Sequence, residues 1–169
     1  RGIHSEYTAQ AEEMAAILGY HCFFGRSLYV GGQNPYGNAV LSKYPITDAQ
    51  IMKIPNPVSE TVEQRSISRC VIEILADGNV IPFAIYSTHF GLTEAEHEHA
   101  TATLLIQLES ETIPFALMGD FNMTPEDPLL APLNQMLNGT DSLLSGKFSF
   151  PSDRPRQKID YIYVSKGIE

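Results

Sequence analysis

An apolar run, Ile113 to Met118, stops at Gly119 and gives way to Asp120, Phe121 and Asn122 within the stretch LMGDFNMTPEDP. If the chain stays extended through Asn122, Asp120 and Asn122 point to the same side, roughly 7 Å apart. A carboxylate and a carboxamide at that spacing can hold a metal-bound water or a phosphoryl oxygen between them, the amide adding a donor that a second acid lacks. The same residues also make good turns, bonding their own backbone, and both readings stay open. His89 closes the run IYSTHF, where a sheet enzyme places reactive groups. It could donate a proton or a hydrogen bond to a phosphate oxygen, or be a core histidine bonded to a carbonyl. In IDYIYV, Ile159, Tyr161 and Tyr163 share one face, and Asp160 shares the other with Ile162 and Val164. A carboxylate on an apolar face is costly unless paired. A metal or an imidazolium would pair it, as would a salt bridge to Lys158, Arg156 or Arg154, and the functional reading is favoured.

Other features carry less. His97-Glu98-His99 resembles a metal cluster, but on a helix the two histidines point about 200° apart, so a solvated face is expected. His4 and His21 have no partners in sequence. Cys22 and Cys70 fit no CxxC spacing and read as two reduced, buried thiols. There is no GxxxxGK[ST], HExxH or GxSxG, so P-loop, zincin and hydrolase-elbow chemistry have no support.

The 169 residues make one ordinary domain, and 43% hydrophobic against 18% charged residues is a globular balance without the signature of disorder. A net charge of −9 argues against nonspecific attraction to polyanions, although a bound divalent cation would invert the local charge. A basic, aromatic-interleaved stretch is not evident, which tilts against a nuclease. No apolar run reaches the roughly 20 residues of a membrane span. The compartment stays open, the cytoplasm being the default expectation.

The elements that must position these residues follow from periodicity. Residues 5–18 read as an amphipathic helix capped by Ser5, with Ala11, Met14, Ala15 and Leu18 as its apolar stripe and Gly19 closing it. Residues 38–46 read as a short strand ended by Pro45. SISRCVIEIL and VIPFAIYSTHF flank Asp77-Gly78, a strong hairpin signal. The second of these is apolar on both alternating sets, which predicts a strand inside a layered structure. Thr93 with Glu96 forms a capping box for a helix running to about Ser110, with Ala95, Ala102, Leu105 and Leu108 near one face. A strand over 113–118 follows, then a helix capped by Asp127 and ending near Asn138-Gly139, then a strand from Ile159 to Val164. The order predicts one mixed α/β domain.

Taken in order, YGNAVLSKYPI, EQRSISR, YSTHFGL, MGDFNMTPED, FSFP and KIDYIYVS resemble the motifs of the endonuclease/exonuclease/phosphatase superfamily over residues 36–165. That group contains pancreatic-type deoxyribonuclease, abasic-site endonucleases, sphingomyelinases and inositol polyphosphate 5-phosphatases. The chain is most similar to compact bacterial members known only as metal-dependent hydrolases. The resemblance implies a four-layer α/β/β/α sandwich of two mixed sheets, and hydrolysis of a phosphate ester with Mg²⁺ or Mn²⁺. It assigns His89 to phosphate contact and acid catalysis. Asp120 and Asn122 are assigned to orienting the attacking water and helping the metal, and Asp160 to orienting a C-terminal catalytic histidine. Asn38 and Arg65 are weaker candidates for phosphate contacts, beside the plain readings of a turn amide and a surface salt bridge.

The chain also departs from the family pattern. The front strands with their Gln-Glu motif, whose glutamate is the main metal ligand, and the terminal Ser-Asp-His segment have no counterpart here. The expectation is a single domain over 1–169 truncated at both ends, an incomplete sandwich that is inactive alone and prone to self-association through exposed strand edges. The leading function is a phosphoesterase acting on a phosphate ester of unknown identity. A nuclease is one alternative, and a noncatalytic binding module on the same fold is the other.

Overall fold

The computed structural model describes residues 9–58, 61–140 and 148–168. Two sheets face each other. The smaller pairs β1 (His21–Val30) antiparallel with β2 (Asn34–Ser42). The larger has six strands: β3 (Ile46–Lys53), β4 (Ser66–Ala76), β5 (Asn79–His89), β6 (Phe115–Asp120), β7 (Leu137–Gly139) and β8 (Asp160–Ser165). Its order is β3-β4-β5-β6-β8-β7. Among the described residues only β5 and β6 run parallel, joined by the crossover helix α2 (Glu94–Glu109). Helix α1 (Gln10–Leu18) lies outside the small sheet, and α2 covers the outer face of the large one. A turn of 3₁₀ helix at Pro128–Leu130 and the short α3 (Ala131–Met136) follow β6. The four expected layers are present.

The core fills the space between the large sheet and α2. Ile67, Ala84, Tyr86 and Leu117 on the sheet meet Ala100, Leu104 and Leu108 on the helix. The face of α2 is therefore rotated from the expected one: His97, Ala100, Thr101, Leu104 and Leu108 are buried, while Ala102 is exposed. The capping box is present as read, Thr93 Oγ1 accepting from Glu96 N. The two sheets approach through small residues. Ser27 Oγ bonds Ser66 Oγ at 2.6 Å, and a Cβ on Gly25 would collide with the Ser68 hydroxyl. These small inward residues give β1 no alternating apolar signal, which is why the sequence reading has no strand there.

Other boundaries shifted. The strand expected over 38–46 is Asn34–Ser42, and Pro45 precedes β3 rather than ending a strand. The Asp77-Gly78 turn has both residues at positive φ, 51° and 77°, as a two-residue type I′ hairpin requires. On β5 only one alternating set is fully buried (Ala84, Tyr86, Thr88), whereas Phe83 and Ile85 are half-buried. Helix α1 ends at Gly19 in the left-handed conformation as expected, but of its apolar stripe only Ala15 is buried. The expected Ser5 cap lies outside the described residues. The helix after Asp127 stops at Met136 because residues 137–139 pair with β8.

Candidate active site at the strand ends

Four strands bring their ends to one edge of the large sheet. His89 ends β5 and Asp120 ends β6, and the two are register partners. Asp120 is in turn the partner of Asp160, the first residue of β8. Register partners present their side chains to the same face, so the three form a row. On the other flank Arg65 immediately precedes β4, which pairs with β5. Its Nη1 lies 3.4 Å from His89 Nδ1, and its Nη2 lies 3.4 Å from Glu63. A guanidinium can only donate, so Nδ1 accepts, and in the neutral ring the proton sits on Nε2. That nitrogen is the one facing Asp120, 3.6 Å from Oδ2.

Electrostatics follow from this crowding. Burial lowers the pKa of His89 below the ordinary 6.5, and the Arg65 charge lowers it further, against opposing pulls from Asp120 and Asp160. The imidazole is therefore neutral at pH 7. Burial raises Asp120 above the ordinary carboxylate value and Asp160 adds to the rise, while the Asn122 N–H and His89 oppose it. Two carboxylates side by side at strand ends invite a cation.

The loops around the row are tied to each other. Beyond Asp120 the chain turns instead of staying extended. Asn122 takes φ 52°, and its N–H donates to Asp120 Oδ1 at 2.9 Å. The turn reading of GDFN is thus realised, and it serves to hold the carboxylate. Asn122 Nδ2 donates to the Phe90 carbonyl at 3.1 Å, Phe90 N donates to Asp120 O, and Phe121 N donates to Ile159 O. Glu96 Oε2 accepts from Leu92 N and Thr93 N, and His97 Nε2 bonds the Gly91 carbonyl at 3.0 Å. His97 is buried, correcting the expected solvated face, because it fastens the loop after His89 to α2. Ser149 Oγ, from the FSFP motif, accepts from the N–H groups of both Ile159 and Asp160.

Two expectations change. Asp160 is exposed, so burial exerts no pressure on it to pair. Its face of β8 looks away from α2, and Ile162 beside it is 44% exposed. Asn38 sits in mid-strand on β2 opposite Gly25, and among the described residues no hydrogen bond joins it to the row. The thiols sit away from this chemistry. Cys70 is fully buried and pushed up to about 11 by that burial, and Cys22 is half-buried and also raised.

A search against known families finds the Endonuclease/Exonuclease/phosphatase family over residues 5–169. The chain belongs to that family. No curated protein sequence matches it. Solved structures with the same fold include an endonuclease/exonuclease/phosphatase family protein from Bacteroides thetaiotaomicron, with TM-score 0.71 and 18% identity over 93% of this chain and 65% of that one. The human Nocturnin catalytic domain with bound sulfate gives 0.65 and 20% over 95% and 66%. A mannosyl-6-phosphatase of Bacteroides thetaiotaomicron gives 0.71 and 17% over 94% and 67%. The chain thus spans about two thirds of the length of these structures. No described helix is long and apolar enough to cross a membrane.

Proposed function

We propose that the row Arg65–His89–Asp120–Asp160 is the phosphoryl site of a metal-dependent phosphoesterase. The observation that carries this reading is the convergence of residues from four separate stretches on one strand-end edge, cation and imidazole on one flank and carboxylates on the other. Arg65 and the Nε2–H of His89 bind phosphoryl oxygens. This gives His89 the part of a neutral hydrogen-bond donor rather than that of a proton-donating imidazolium. Asp120, steadied by the Asn122 N–H, accepts a hydrogen bond from the attacking water and draws its proton. Asn122 supports the water with its carboxamide, Asp160 orients a neighbouring group, and Asn38 remains a more distant candidate for phosphate contact.

The donor set fits Mg²⁺ or Mn²⁺ of a particular kind. Asp120, Asn122 and Asp160 offer hard oxygen ligands, and such ions keep most of their waters and bind through one or two carboxylates plus substrate phosphate. Among the described residues no group of three His, Cys, Asp or Glu side chains could cage an ion. The bound cation would polarise the phosphoryl group and offset developing charge. With so few ligands, this chain alone is expected to bind it weakly and to turn over poorly.

The structures with the same fold include a mannosyl-6-phosphatase and a 2',3'-cyclic phosphatase in complex with adenosine-2',3'-vanadate, so sugar-phosphate and nucleotide esters are both substrate candidates. Self-association belongs to the same proposal. In the large sheet the β3 edge is protected by its bulge and by Asp48 and Lys53, and the β7 edge is only three residues long, which points to the two-stranded sheet as the edge open to pairing. Sedimentation velocity showing only monomer would remove that part.

The test of the site needs no turnover. Inorganic phosphate with Mg²⁺ should shift the amide NMR signals of His89 and Asn122, and Asp120→Ala should abolish the shift. Signals that stay put at saturating phosphate would overturn the phosphoesterase reading in favour of a noncatalytic module.

A further inference from the structure

Arg65 uses two of its three nitrogens at the edge of the row. Nη1 lies 3.4 Å from His89 and Nη2 lies 3.4 Å from Glu63. The third, Nε, is buried, and among the described residues it has no hydrogen-bond partner. A buried donor in that state is costly. Beside this side chain lies a cavity of about 10 Å³, lined by Arg65, residues 54–56, Gly91, and Glu96 and Ala100 of α2. Its walls are held in place. Ile54 N donates to Arg65 O at 2.9 Å, and Gln64 Nε2 donates to Ile54 O at 2.6 Å and to Arg65 O at 2.8 Å. His99 Nδ1 bonds the Pro55 carbonyl at 2.9 Å.

Glu96 supplies the acid in that lining. It is 8% exposed, and its Oε2 accepts from Leu92 N at 2.9 Å and from Thr93 N at 3.1 Å. Among the described residues Oε1 accepts no hydrogen bond, and no direct ion pair joins the carboxylate to Arg65. A gap of this size is ordinarily a packing defect, and an apolar one stays dry. This one has an unmatched donor and an unmatched acceptor in its lining, and its volume is about what one water needs. The exposed Asn56 adds a third polar group. A cation there would meet the guanidinium, and an anion would meet the carboxylate. Water both accepts and donates, so it satisfies both.

We propose that one ordered water in this cavity accepts from Arg65 Nε and donates to Glu96 Oε1, which makes Glu96 a positioning residue for the row. A guanidinium is planar and rigid, so holding Nε also fixes where Nη1 meets His89. The bridge joins the row to the start of α2 through the same carboxylate that ties down Leu92 and Thr93. The bridge itself stands apart from the phosphoesterase reading, whereas its effect on phosphate rests on that reading.

The test is NMR of the 169-residue protein, read at the Arg65 Nε–H signal. A bound water should give that proton a cross-peak of opposite sign in NOE and ROE spectra, which exchange with bulk water does not. Ala100→Val fills the cavity while leaving both charged groups in place, and it should erase the cross-peak. Glu96→Gln keeps an oxygen for Leu92 and Thr93 but removes the charge that anchors the water. Both variants should lower the order parameter of Arg65 Nε and weaken the binding of inorganic phosphate with Mg²⁺ about 3- to 10-fold, the worth of one hydrogen bond. Circular dichroism checks that each is folded, and if neither is, the cross-peak of the parent decides alone. A parent without that cross-peak overturns the proposal, as do folded variants whose Arg65 is as ordered as the parent's. If phosphate shifts the His89 and Asn122 signals but the cross-peak is missing, the bridge falls and the row stands. If the cross-peak and its loss both appear while phosphate shifts nothing, the bridge stands and the phosphoesterase reading falls.

Discussion

His89 and Asp120 are register partners at the ends of two parallel strands, with Nε2 of the ring 3.6 Å from Oδ2 of the carboxylate. Because Arg65 occupies Nδ1, the ring faces Asp120 with its proton on Nε2. ¹⁵N NMR of the imidazole should therefore find His89 in the Nε2–H tautomer at pH 7, titrating below 6.5. Arg65→Met should release the tautomer preference.

The same lowered pKa makes a statement about stability. Between the folded-state pKa of His89 and the unfolded 6.5, the unfolded chain binds more protons, so stability rises with pH across that window. The contribution is complete above 6.5 and is lost as pH falls toward the folded value. Urea melts of the parent and of His89→Gln should diverge in their pH dependence there and run parallel above it.

A second linkage lies away from the site. Burial alone would raise Glu111, but Arg69 Nε at 2.7 Å and Tyr86 OH at 2.8 Å override it and hold the carboxyl at about 2. This group's stabilisation is fully present above its unfolded 4.5 and is lost as pH falls toward 2. Tyr86→Phe removes one hydrogen bond to a charged acceptor and should cost about 1.5–3 kcal/mol in denaturant melts at neutral pH.

Gly119 precedes Asp120, and a Cβ there would run into the Thr88 carbonyl on β5. Backbone does not yield as a side-chain tip does, so Gly119→Ala should cost about 1–3 kcal/mol and spread β5 from β6. The phosphate-induced NMR shift at His89 should weaken with it, and an unchanged melting midpoint would contradict this packing.

In whichever form of the protein hydrolysis is measured, Asp120→Ala should lower kcat/KM by about 10²–10⁴, and EDTA should abolish turnover until Mg²⁺ or Mn²⁺ is restored. Asn122 sits at φ 52°. Asn122→Gly should therefore be more stable than Asn122→Ala by about 1 kcal/mol, although both lose the bond to Phe90.

What the sequence by itself determined was local. The Asp77-Gly78 turn, the Thr93–Glu96 capping box, the Asp127 cap and the chemical types at 89, 120, 122 and 160 depend on neighbours a few positions away, and each is legible in one dimension. The strands β1, β3 and β7 were not. Gly25 and Ser27 carry no apolar period, β3 is an edge strand with little to bury, and β7 exists only because β8 lies beside it. The tertiary structure alone decided that Arg65 would touch His89, that His97 would be buried as a loop anchor, and that Asp160 would stand in solvent. Those outcomes depend on register and on which face of each strand meets another layer. A contact between residues 24 positions apart, like that of Arg65 and His89, leaves no trace in either residue's own surroundings.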